Sequence, residues 1–308
     1  MVRTKQRFAA FAALAFAFTT SSVAQSAVPA SGVVIGASGD ISPSMLSSSR
    51  LTPVTLQVGF TSEAPSAAQT PELSRIELKI SRNLSFDTAG LPSCPLKALY
   101  SRTTDPLRRC AASRLGEGTV ISEIDLPNRD PETVEGHLLA FYSDAGGRPG
   151  ILAQVTTNGA VPLTYVLPFR IAPLRRGQLA PYAAGPGPFD RGANQEVPAA
   201  FATELVVEQM RPIIGKCVAG HPHCFDDPYT FRGIYGRISS FSISLHRRFS
   251  RAGKPHSFVR AACPAPPGDS EATFPIVKAN LFYSYDPDVS GPEPRSATAS
   301  GSCQAVLM

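Results

Sequence analysis

Apolar and polar residues alternate along most of this chain. In LSRIELKIS (73–81), Ile76, Leu78 and Ile80 fall on one side of an extended backbone, and Arg75, Glu77 and Lys79 on the other. That two-residue period marks a strand with one buried face. PVTLQVGF (53–60) alternates Val54, Leu56, Val58 and Phe60 with smaller or polar neighbours. The same reading predicts strands at 118–126, 134–142, 150–157 and 163–171, with turns at Asp144 to Gly150 and at Asn158-Gly159. Pro95 to Ala112, around Cys94 and Cys110, reads as one or two short helical turns. FATELVVEQM (201–210) fits either period: Glu204 and Glu208 would share a helix face, yet Leu205 and Val207 alternate as in a strand. The final third returns to strands in YTFRGIY, ISSFSISLHRRFS, SFVRAA, PIVKANLFYSY and RSATASGSC.

One strand has an echo. LSRIELKISRNLS (73–85) aligns without gaps on ISSFSISLHRRFS (238–250), so that Ile76, Leu78 and Ile80 meet Phe241, Ile243 and Leu245. Cys-Pro follows each copy, at Cys94-Pro95 and Cys263-Pro264. Strands with one apolar side need a facing layer. The expected fold is therefore all-β: an antiparallel β-sandwich, jelly-roll or immunoglobulin-like, of two related halves with disulfide staples. The halves are expected at 51–172 and 201–308, joined by a Pro/Gly-rich connection at 173–200. Residues 25–50, small and polar, read as a flexible tether.

Composition changes the picture at the N-terminus. Arg3, Lys5 and Arg7 precede an apolar run from Phe8 to Phe18, and Ser22-Val23-Ala24 offers small residues for cleavage. This is the pattern of a signal peptide over 1–24. No other run reaches the roughly 18–20 apolar residues of a membrane span, so the mature chain is expected to carry none. Removing three basic residues lowers the formal charge from +5 to 5 − 3 = +2. The Arg pairs at 108–109, 175–176 and 247–248 are scattered, which reads as solvated surface and argues against nucleic acid as a partner. Proline (29) and glycine (24) are plentiful, which suits many short strands joined by turns.

The pattern LPSCPL…RRC…LGEGTV, then LTYVLPFRI, then SLHRRFSRAGKPHSFVRAACPAPPG…FP resembles an uncharacterised family of exported proteins from high-GC Gram-positive bacteria. The resemblance covers roughly 70–170 and 235–305. It implies export, a β-rich fold and a recurrent cysteine pair in each half, and it carries no activity. The segment 175–235 departs from the family, which is shorter there.

Six cysteines in an exported chain suit disulfides and allow fifteen pairings. We expect Cys94–Cys110, Cys217–Cys224 and Cys263–Cys303. The stretch KCVAGHPHCFDD also offers Cys217, His221, His223 and Cys224 as zinc ligands of the right number and softness. Four ligands within eight residues, stiffened by Pro222, converge poorly on one ion, so a staple is the expectation and metal the rival.

Catalytic signals are sparse. Gly-x-Ser-x-Gly, His-Glu-x-x-His and Walker-type loops are missing from the sequence. GEGTV (116–120) reads as a turn entering a strand, not a phosphate cradle. Asp226-Asp227 and Glu204/Glu208 are the candidate carboxylate pairs, with loop capping expected of the first. His137, His246 and His256 read as surface or satisfied core. Without Trp, a sugar platform would have to use Tyr283 and Tyr285, for which core or rim packing is expected. No catalytic residue and no cofactor are assigned. The expected function is a non-catalytic binding or structural module of the cell envelope or extracellular space, with an unknown ligand there as partner. The alternatives are a secreted hydrolase or carbohydrate-active enzyme with acids in 175–235, and a metal-binding protein at 217–224.

Overall fold

The structure, a computed structural model, describes residues 24–25, 33–64, 72–99, 105–125, 130–157, 164–174, 200–207, 235–266, 268–283 and 294–306. In chain order the strands are β1 (Ala24–Gln25), β2 (Val34–Ser42), β3 (Met45–Ser47), β4 (Thr52–Pro53), β5 (Thr55–Glu63), β6 (Leu73–Ser81) and β7 (Leu84–Phe86). Two short helices follow, α1 (Leu96–Leu99) and α2 (Pro106–Cys110), and then a 3-10 turn at Ala111–Ser113. The chain continues through β8 (Arg114–Asp125), β9 (Glu132–Asp144), β10 (Pro149–Thr157), β11 (Thr164–Pro173), β12 (Phe201–Val207) and β13 (Tyr235–Leu245). It ends with β14 (Arg248–Arg251), β15 (Lys254–Ser257), β16 (Val259–Ala261), β17 (Glu271–Tyr283) and β18 (Arg295–Val306).

Thirteen of these strands form one sheet in the order β1-β2-β5-β13-β8-β9-β10-β11-β12-β6-β17-β18-β3, with every neighbour antiparallel except the β18–β3 pair. The fold is thus all-β with short helical turns. The facing layers come from a single sheet rolled over on itself into a near-barrel. Inward side chains from distant strands meet across the interior: Phe169 of β11 lies 5.4 Å from Phe241 of β13, and the hydroxyls of Ser62 (β5) and Tyr283 (β17) are 2.7 Å apart. Tyr165 and Ser122 make a similar hydroxyl pair at 3.3 Å, and burial pushes the Tyr165 phenol up to about 12. These pairs give buried hydroxyls partners that the apolar interior would otherwise deny them. At one end β4, β16 and β7 form a small three-stranded sheet, and β14–β15 form a hairpin. The β9–β10 turn uses Gly146 and Gly147 at φ 65° and 78°, where a side chain would be strained.

Both echo strands lie inside the large sheet. β13 lies between β5 and β8, and β6 lies between β12 and β17. Phe241, Ile243 and Leu245 face Phe60, Val58 and Leu56 on one flank, and Val120, Gly118 and Gly116 on the other. Ile76, Leu78 and Ile80 face Val207, Leu205 and Thr203, and Leu281, Ala279 and Val277. Each half lends its echo strand to the strands of the other half, so the two are interleaved in one sheet.

One expectation is revised and one ambiguity resolved. Residues 34–42 and 45–47, expected as part of a flexible tether, are strands β2 and β3, with Ile35, Ala37, Ile41 and Leu46 buried. The small residues of β2 are what let it approach β17: a Cβ on Gly39 would lie 3.1 Å from Ile276 and Val277 side-chain carbons. The ambiguous 201–210 segment is strand over Phe201–Val207, with Leu205 and Val207 in the core.

Two of the expected disulfides lie in described residues, Cys94–Cys110 and Cys263–Cys303. Such bonds persist in an oxidising compartment. Cys217 and Cys224 lie outside the described residues. Cys94–Cys110 closes the helical segment on itself, and the segment packs on the outer face of β9–β11 through a second small core of Ala98, Leu99, Phe141, Leu152 and Val166. Buried Gln154 donates to the Leu99 carbonyl at 2.7 Å, which satisfies the short helix's end. Among the described residues no helix is long and apolar enough to cross a membrane.

Candidate functional site

Where β13 ends, the chain bends sharply through His246 and Arg247 into β14. Both backbone amides donate to the Leu115 carbonyl, at 3.0 and 3.1 Å. The Arg247 carbonyl in turn accepts from the Phe258 amide at 2.8 Å and the Ser257 hydroxyl at 3.3 Å. Opposite the bend stands α2, capped by Asp105, whose carboxylate accepts from the Leu107 amide at 2.8 Å. Between them is an open cavity of about 510 Å³ lined by Leu107, Ala111, Arg114, Leu115, His246, Arg247 and Arg248.

Three guanidinium groups line this cavity. Arg114 pairs with Glu117 at 2.6 Å, and Arg247 donates through Nη2 to the Ala112 carbonyl at 3.2 Å. The Nε–H groups of Arg114 and Arg247 are buried without an acceptor. Arg248 and His246 are exposed. Arginine stays protonated and presents a planar fork suited to oxyanions. The sequence reading assigned the Arg pairs to scattered surface, but folding gathers Arg247 and Arg248 with Arg114 around one concavity.

A second cluster joins β7 to the β14–β15 hairpin. Asp87 accepts from the Ala89 amide at 3.2 Å and pairs with His256 Nδ1 at 3.0 Å, and Arg251 Nη1 lies 3.5 Å from its other oxygen. The His256 ring stacks on Phe249 with centroids 5.6 Å apart. Burial alone would raise the Asp87 carboxyl. The His256 and Ala89 hydrogen bonds and the charges of Arg251 and Arg260 outweigh it and hold the group below its ordinary value. A depressed carboxyl stabilises the fold above its unfolded pKa, and that contribution is lost as pH falls through the folded value. Asp87→Asn should therefore lower the urea midpoint at pH 7, with the gap to wild type narrowing below about pH 4. An equal gap at pH 7 and pH 3 would contradict this assignment.

The remaining candidates fall as follows. Glu204 sits on the outer face of β12, where burial and then the charge of Glu77 push its carboxyl up. Glu77 pairs with Arg75 and accepts from Asn280 Nδ2 at 3.1 Å, and Asn280 accepts from Ser296 Oγ at 2.8 Å. Glu77 is thus the described acidic neighbour of Glu204, and neither Glu77 nor Asn280 was singled out from sequence. Glu208, Asp226, Asp227, His221, His223 and Tyr285 lie outside the described residues, as does the Cys217/Cys224 loop. Tyr283 points into the core and Arg75 covers Phe282 at 5.3 Å, so neither ring offers an open face. His137 is exposed on β9.

Gly116 and Gly118 belong to strand β8, and their reason is closeness to β13. A Cβ on Gly118 would stand 1.9 Å from the Ser242 carbonyl oxygen, and one on Gly116 1.8 Å from that of Ser244. Gly118→Ala must push the strands apart, at a cost of about 1–3 kcal/mol for overpacking. An unchanged urea midpoint would show that the strands do not approach so closely. The chain matches no family model, and no curated protein and no solved structure is similar to it.

Proposed function

We propose that this chain is an exported, non-catalytic binding module acting in the cell envelope or outside the cell. In this reading residues 1–24 leave as a signal peptide, and the chain belongs with the exported high-GC Gram-positive family that its motifs resemble. The observation that carries the reading is the cavity of Arg114, Arg247 and Arg248, held by a disulfide-closed helical segment and a hydrogen-bonded bend. Its arginines present planar, positively charged forks to an anion, as a receptor surface for anions does. The two described disulfides fit export, because they persist in an oxidising compartment.

The test is to present the mature protein to an array of envelope glycans and charged surface molecules, and to recover and weigh whatever it retains. The expected result is a ligand retained unchanged. Release of a cleaved product would overturn the reading in favour of a secreted hydrolase or carbohydrate-active enzyme using acids in 175–235. Retention that requires zinc would favour a metal-binding protein at 217–224.

A further inference from the structure

The cavity between α2 and the His246–Arg248 bend has a composition that narrows its ligand. Among the described residues the cavity lining carries Arg114, Arg247 and Arg248 and no carboxylate, and Glu117 beside it pairs with Arg114 alone, which leaves two guanidinium charges without a carboxylate partner. A group carrying two negative charges on neighbouring oxygens neutralises them. Guanidinium forks bind tetrahedral oxyanions in pairs of parallel hydrogen bonds, with a geometry that lysine lacks. The buried Nε–H groups of Arg114 and Arg247 already lack acceptors, and turning that edge of either guanidinium onto a ligand oxygen would satisfy a donor that now has none. Around the charges, Leu107, Ala111 and Leu115 supply an apolar wall. The volume, about 510 Å³, falls in the range that holds a small organic molecule and exceeds what a bare oxyanion fills.

We propose that this cavity binds a phosphate monoester whose ester carbon chain lies against Leu107, Ala111 and Leu115. The proposal rests on the binding-module reading and specifies its ligand class. Arg248 is exposed and can close over the phosphate. Arg247 anchors the bend and also supplies charge. Glu117 fixes Arg114 at the rim.

Isothermal titration of the full mature protein with butyl phosphate, inorganic phosphate and butyl sulfate tests this. The expected order of affinity is butyl phosphate first, inorganic phosphate weaker for want of the apolar contact, and butyl sulfate weakest for want of the second charge. Arg248→Gln should weaken butyl phosphate about ten-fold or more, the scale of one charge-assisted hydrogen bond. Arg148→Gln, on the β9–β10 turn, should leave it unchanged. Circular dichroism and urea midpoints verify that both variants fold. Inorganic phosphate binding as tightly as butyl phosphate would overturn the ester assignment, and so would Arg248→Gln binding like wild type. If no phosphate binds while the array retains another ligand, the ligand class is wrong and the binding-module reading stands. If neither binds, both fall.

Discussion

Phe241→Ala is expected to destabilise the protein by about 3–5 kcal/mol, the range for deleting a fully buried aromatic ring. Phe241 lies on β13, the strand that one half lends to the other. Its ring stacks on Phe60 of neighbouring β5 at 5.6 Å and meets Phe169 from across the interior at 5.4 Å. The substitution therefore removes contacts within the sheet and across the roll at once. The positions paired with it, Phe60 and Val120, and Ile243 next on the same face are themselves buried, so the ring is part of a packed interior. Urea unfolding gives the number, and Ser244→Ala on the outer face of the same strand should change it little. A loss below about 1 kcal/mol for Phe241→Ala would mean that the sheet does not close over this ring.

Removing the second staple should cost nearly as much. Cys263 and Cys303 are both fully buried and close a 40-residue separation. In the chain-entropy model that is worth about 4 kcal/mol, against about 3 kcal/mol for the 16-residue separation of Cys94 and Cys110. The bond ties Cys263, two residues past β16, to β18, and the Cys263 amide also donates to the Ser47 carbonyl at 3.0 Å, so β3, β16 and β18 meet at one point. The double variant Cys263→Ala/Cys303→Ala avoids leaving a free buried thiol, and its unfolding midpoint should fall further than that of Cys94→Ala/Cys110→Ala. Equal midpoints for wild type and the Cys263/Cys303 variant would contradict the native role of this bond.

Elements whose side chains differ strongly in polarity were readable from sequence. β6 is the clearest case, since Arg75, Glu77 and Lys79 alternate with Ile and Leu, and its gapless echo is likewise a strand of the same sheet, β13. β2 was not readable, because Gly36, Ala37, Ser38 and Gly39 are all small, and at Gly39 a Cβ would crowd Ile276 and Val277 of β17. Small residues carry no hydropathy contrast, so a buried strand looked like a linker. The interleaving of the halves was also hidden, because strand order depends on pairing partners and not on any strand's own pattern.

The sites fared worse, for a related reason. Asp87 and His256 are 169 residues apart, and Arg247 reaches Ala112 across 135. Neither pairing leaves a local motif. KCVAGHPHCFDD stands out in the sequence because its cysteines and histidines are adjacent in the chain. The arginines around the cavity are separated in sequence and looked like ordinary surface. Gly116 and Gly118 carried a signal that could have been used: glycines alternating within a strand mark a close backbone approach.

The account depends on a chain that leaves the cytosol and matures with its cysteines joined. Mass spectrometry of the natively produced protein, digested without reduction, tests both parts at once. The expected products are a mature N-terminus at Gln25 and cross-linked peptides joining Cys94 to Cys110 and Cys263 to Cys303. Residues 1–24 still attached, with those four thiols free, would contradict it.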